Sequence, residues 1–139
     1  MTFVLKHKRY FALGFWLWLL IILLITLLPQ SHRIINIDTN SKFRLDYTIH
    51  FLVYFSLSVL FIFWRIDEWL KISNKELLWY IFSGIAICAI TELLQFYIPE
   101  RTFNKTDLLF NILGVIVGIV LIKLILNKKA PRNQDALIY

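Results

Sequence analysis

Four apolar runs constrain this chain more than any other feature. They cover roughly residues 11–28, 47–64, 77–98 and 108–126. The first is broken only by Gly14 and Thr26 across eighteen residues. In a helix those eighteen residues span about 27 Å, close to the roughly 30 Å hydrocarbon core of a bilayer. The runs predict an all-α fold, a four-transmembrane-helix bundle, in an integral membrane protein. One domain over residues 1–139 is expected, with a mobile tail at 127–139. Composition agrees, since 59% of the residues are apolar against roughly 45–50% in soluble domains. Five Trp and twelve Phe would overfill a soluble core of this size.

The net charge is +6, but the basic residues lie between the apolar runs rather than along them. That placement argues for a multi-pass membrane protein, with membrane lipids as its surroundings, and against a nucleic-acid binder. The first run starts after Lys6, Lys8 and Arg9, as a signal peptide would. It is long, however, and the bulky Leu27-Leu28-Pro29-Gln30 offers no small-residue cleavage site, so an uncleaved span is expected. Cys88 is the single cysteine and lies within an apolar run, where it reads as a small buried hydrophobe. Ser73 and Glu76 have capping-box spacing ahead of the third run. His32, in the polar loop after the first run, reads as a solvated side chain.

Polar residues break the apolar pattern in an ordered way. Asp46, His50, Tyr54 and Ser58 recur at steps of four on one slowly drifting helical face. Glu92 and Gln95 are three apart, and Asp107 and Asn111 four apart, each pair on one face. Gly114 and Gly118 continue the face of Asn111, and Pro99 separates the last two helical patterns. Such groups are costly in hydrocarbon and usually face a bundle interior.

Basic residues favour cytoplasmic loops. With the N-terminus inside, the inner segments hold ten of the fifteen Lys and Arg residues and the outer loops hold five. The expected topology is a multi-pass membrane protein with both termini cytoplasmic. Asp46 and His50 then begin the second span at its outer end, Glu92 and Gln95 finish the third, and Asp107 and Asn111 begin the fourth. Arg101 lies in the outer turn between the last two spans. Three helices thereby place polar side chains in one outer-leaflet layer.

These motifs resemble the VanZ-like family of small bacterial membrane proteins. The matching elements are Asp46-x-x-x-His50-Phe51-x-x-Tyr54, Glu92-x-x-Gln95, Pro99-x-Arg101 and Asp107-x-x-x-Asn111-x-x-Gly114-x-x-x-Gly118. Family members often carry Lys after the first Asp, where this chain has Tyr47. The resemblance implies a cell-envelope protein whose namesake is associated with reduced susceptibility to the glycopeptide teicoplanin. It implies no particular reaction.

Two classes of function fit the residues. In an enzyme acting on a lipid-linked or cell-wall substrate, Asp46 would orient His50. His50 or Glu92, with Asp107 beside them, would act as acid or base. Arg101 would hold an anionic head group, with Gln95, Asn111 and Tyr54 completing the binding surface. In a non-catalytic scaffold, the same pocket would bind a lipid or an envelope partner. A transporter fits less well, because four spans leave little room for a path. His50 with Asp46, Glu92 or Asp107 could be written as a metal set, but the spacing is not diagnostic, so no metal or cofactor is expected. The sequence leaves substrate, catalysis and oligomeric state open.

The charge distribution predicts that a cysteine introduced at Asn40 reacts with a membrane-impermeant maleimide in intact cells, with tags at both termini reporting cytoplasm. Protection of that cysteine until the cells are permeabilised would reverse the orientation.

Overall fold

A computed structural model describes residues 2–28, 45–67, 71–99, 101 and 103–129. Its elements are α1 (Thr2–Lys6), α2 (Lys8–Leu27), α3 (Leu45–Arg65), α4 (Asn74–Gln95) and α5 (Lys105–Lys129). The last four are long and apolar enough to cross a membrane. The loop containing His32 and the tail from residue 130 onward lie outside the described residues.

The helix bounds differ from the sequence expectation where local chemistry intervenes. α4 stops at Gln95. Beyond it the backbone tightens, with Phe96 N–H donating to Leu93, Tyr97 to Leu94 and Ile98 to Gln95. Pro99 follows, and the residue before a proline is disfavoured in the α region. α5 starts at Lys105 and continues through Lys129, so the first residues of the expected tail are helical. Ser73 sits at the N-cap of α4 but makes no side-chain cap hydrogen bond. The Glu76 carboxylate instead meets Arg65 at the end of α3, a charge-assisted contact stronger than a cap bond to a neutral amide.

The distribution of side chains is inverted relative to a soluble bundle. Leu13, Leu17, Leu20 and Leu24 of α2 are exposed, whereas Asp46, Ser58, Glu92, Asp107 and Asn111 are buried. Hydrocarbon lowers the free energy of the first group and would raise that of the second, so the polar residues turn inward. Cys88 is buried and free, as its place in an apolar run suggests.

α2 and α4 run antiparallel to α3 and α5. The Trp18 Nε1–H donates to the Val53 carbonyl at 3.0 Å, fastening α2 to α3. At the end where α3 finishes and α4 begins, Phe61 stacks on Tyr80 with ring centroids 3.9 Å apart, and Phe15 of α2 packs against both. The buried Ser58 hydroxyl pairs with the Tyr80 hydroxyl at 3.0 Å, so the phenol is satisfied inside this aromatic cluster.

α3 and α5 run parallel and approach most closely at two glycines. A Cβ at Gly114 would collide with the Phe51 carbonyl oxygen and lie 3.0 Å from the Phe55 nitrogen. A Cβ at Gly118 would lie 2.7 Å from the Ser58 Cβ. The missing side chains therefore set the α3–α5 separation, as small residues do at membrane helix contacts. At Gly84 a new Cβ would meet only the Val115 side chain, at 3.2 Å.

Gly114→Ala and Gly118→Ile should each destabilise the protein by about 1–3 kcal/mol through overpacking. Gly84→Ala should cost less, because a side chain yields where a backbone does not. Thermal unfolding in detergent tests the order. Equal stabilities for all three would show that backbone contact does not limit the α3–α5 distance.

Candidate functional site

α3 and α5 begin side by side, so their first turns present Asp46, His50, Asp107 and Asn111 to one another. Acidic residues suit these positions, since the first turn of a helix carries partial positive charge. His50 Nδ1 lies 3.0 Å from Asn111 Oδ1. Its Nε2 lies 3.7 Å from Asp46 Oδ1 and 3.7 Å from Asp107 Oδ2. One ring nitrogen thus faces a carboxamide oxygen while the other faces two carboxylates. His50 keeps 16% of its side-chain exposure, enough to connect the cluster to the space outside the bundle.

Glu92 approaches from α4 and is fully buried. Its Oε1 accepts the Asn104 backbone N–H at 2.9 Å, and its Oε2 is buried with no hydrogen-bond partner among the described residues. The carboxylate is in electrostatic range of Asp107, His50 and Arg101. Two carboxylates therefore flank the imidazole, and a third lies within electrostatic range of it.

Asn104 joins these groups, although the sequence reading did not single it out. It is the N-cap of α5, with its Oδ1 accepting the Thr106 N–H at 3.0 Å. Its Nδ2 donates to Asp107 Oδ1 at 3.0 Å. In a capping box the third helical residue would reach back to the cap N–H. Here Glu92 of the neighbouring helix takes that N–H, while the cap side chain holds Asp107. The signal was present in the sequence as an Asn one helical turn before the apolar run that opens at Leu108.

Arg101 is buried and spans to α2. Its guanidinium donates to the Thr26 carbonyl at 2.9 Å and to the Ile25 carbonyl at 3.3 Å. These are among the last four carbonyls of α2, which have no i+4 partner within the helix, and the Ile25 carbonyl also accepts the Leu28 N–H at 3.3 Å. A cation there also favours the helix dipole. Gln95 is buried at the end of α4. Tyr54 lies one turn deeper than His50, and its hydroxyl pairs with Thr91 Oγ1 at 2.7 Å, beneath the cluster. Tyr47, at the position where Lys is frequent among VanZ-like proteins, stacks on Phe110 with centroids 5.2 Å apart. An aromatic contact between α3 and α5 thus occupies the place of a cation.

Four membrane-length helices enclosing carboxylates, an imidazole and carboxamides define a multi-pass membrane protein with a polar site inside its bundle. A family model described as VanZ/LLP1 matches residues 15–126, and the chain belongs to that family. The matched segment contains every residue of the site. Comparison with curated proteins and with solved structures gave no match.

Arg101→Ala should release the end of α2 and lower stability by about 1.5–3 kcal/mol, the scale of a hydrogen bond to a charged group. Arg101→Lys should restore only part, because an ammonium lacks the planar fork that reaches two carbonyls. Unfolding in detergent measures both, and an unaltered Arg101→Ala protein would rule out the tie.

Proposed function

We propose that this chain is a bacterial cell-envelope protein of the cytoplasmic membrane. In this reading its Asp46–His50–Asp107 cluster opens at the outer leaflet and binds a lipid-linked or cell-wall substrate, with His50 serving as acid or base. The observation that carries the reading is the convergence of two carboxylates, from α3 and α5, and Asn111 on the partly exposed His50, with Glu92 of α4 in electrostatic range. The division of Lys and Arg, ten in the inner segments against five in the outer loops, supports the outward placement. Membership of the VanZ/LLP1 family supports the link to glycopeptide susceptibility.

His50 has two carboxylates within 3.7 Å, whereas the Arg101 guanidinium is engaged with the end of α2. Hydroxyl, amine or cation-bridged phosphate groups therefore suit the entrance better than a bare anion. Arg101 acts in this reading by offsetting Glu92, and Gln95 and Asn111 offer amide contacts. Tyr54 supports the floor of the site through Thr91.

The second reading is a non-catalytic scaffold or a lipid- or partner-binding protein. It is favoured by Arg101 and Asn104, whose hydrogen bonds hold the protein's own backbone and side chains. Turnover of lipid-linked cell-wall precursors by purified protein, with His50→Ala as the control, distinguishes the two.

His50→Gln and Glu92→Gln should each abolish the chain's effect on teicoplanin susceptibility while expression and membrane insertion remain at wild-type level. Variants that insert normally and keep the effect would remove the site from the function.

A further inference from the structure

We propose that Asp46, His50 and Asp107 bind one divalent transition-metal cation, Zn²⁺ or Mn²⁺, with Asn111 orienting the imidazole and the carboxylate of Glu92 adding negative charge behind it. The inference deepens the reading of this same site and rests on that cluster being functional, but ion binding is measured without any substrate.

The first argument is the tautomer of His50. Asn111 Oδ1 can only accept, so at 3.0 Å the His50 Nδ1 carries the proton. In the neutral ring Nε2 then presents a lone pair, and it presents it to two carboxylate oxygens, each 3.7 Å away. A lone pair and two anions repel unless something positive lies between them. The distances exceed those of a charge-assisted hydrogen bond, which run about 2.7–2.9 Å. They are close to the spacing of two ligands that share an ion: bonds of about 2.0–2.1 Å in tetrahedral array place ligand atoms about 3.4 Å apart.

The second argument is convergence. One donor atom from each of Asp46, His50 and Asp107 lies within 4.8 Å of the others. The hydrogen bond from Nδ1 to Asn111 is the outer contact that metal-bound histidines use to fix their ring. Asn104 holds Asp107 through its other oxygen, which leaves Oδ2 directed at His50.

A third observation is independent of the cluster. Glu92 is fully buried, and its Oε2 has no hydrogen-bond partner among the described residues. Such an oxygen is expensive in a low-dielectric interior. It lies in electrostatic range of Asp107, His50 and Arg101, so a cation in the cluster would add to the compensation that Arg101 supplies. The donor set, one imidazole with carboxylates and no thiolate, suits Zn²⁺ or Mn²⁺ and disfavours Cu⁺. A dication here would bridge to phosphate or polarise a bound water, either of which serves an acid–base site.

The test uses the full chain purified in detergent, stripped with a chelator and titrated with ZnCl₂ or MnCl₂ alone. Wild-type protein should bind about one ion per chain and unfold at a higher temperature with the ion than without it. Asp107→Asn and His50→Ala should bind at least about tenfold more weakly, and Asn111→Ala about 10–100-fold more weakly, as the loss of an orienting contact does. Glu76→Gln, at the opposite end of the bundle, should bind as wild type. No saturable binding by folded wild-type protein would overturn the proposal, and so would binding that Asp107→Asn and Asn111→Ala leave unchanged. In either case the contacts of His50 with the two aspartates hold the cluster together without an ion. Failure to bind metal together with loss of the teicoplanin effect in His50→Gln would reject the ion and keep the site. Metal binding with the teicoplanin effect intact in His50→Gln would keep the ion and reject the proposed function.

Discussion

A carboxylate inside a bilayer has no water to turn to, and the arrangement of this protein follows from that constraint. Asp46, Asp107 and Glu92 come from three helices, and each is held at a helix end or against a capping group rather than in the middle of a span. The first turns of α3 and α5 offer positive dipole ends to two of them. The third is held by the backbone N–H that opens α5. A polar layer of this kind cannot be assembled by one helix pair, so the site and the bundle require each other.

Two other interfaces make that layer stable. The glycine contact between α3 and α5 brings their first turns close enough for His50 to reach Asn111. Arg101 then ties the end of α2 to the turn between α4 and α5. At the opposite end the aromatic cluster of Phe15, Phe61 and Tyr80 fills the bundle, and Arg65 pairs with Glu76 at its edge. The buried charge of the molecule is thus gathered at one end, while ring packing fills the interior of the other.

The four spans and the inward face of each polar pair were legible in the sequence, because helical periodicity and bilayer thickness both leave direct marks on residue order. His50 with Asp46 and Asp107 with Asn111 follow from steps of four. Their meeting across α3 and α5 was less visible, since it depends on how closely two helices approach, and Gly114 and Gly118 hinted at that without specifying the partner. The sequence suggested an anionic head group for Arg101, and the structure adds the carbonyls of α2 as acceptors for its guanidinium. Backbone acceptors at a helix end have no residue code, which is why the reading missed them. Asn104 was overlooked for a different reason: its role combines a local cap, which is readable, with a bond to another helix, which is not.

The parallel contact between α3 and α5 bears on how the protein enters the membrane. His50 and Asn111 are separated by 61 positions, with all of α4 between them. At about 5–20 residues per second the ribosome needs roughly 3–12 s to make that interval. During that time α3 exists without the helix that covers its polar face. Asp46 and His50 stand within the first turns of α3, not at its centre, so they can wait at the bilayer surface, hydrated, while the apolar remainder is already inserted. α5 then closes the site, and a chain stopped before it would leave the imidazole without Asn111 and Asp107.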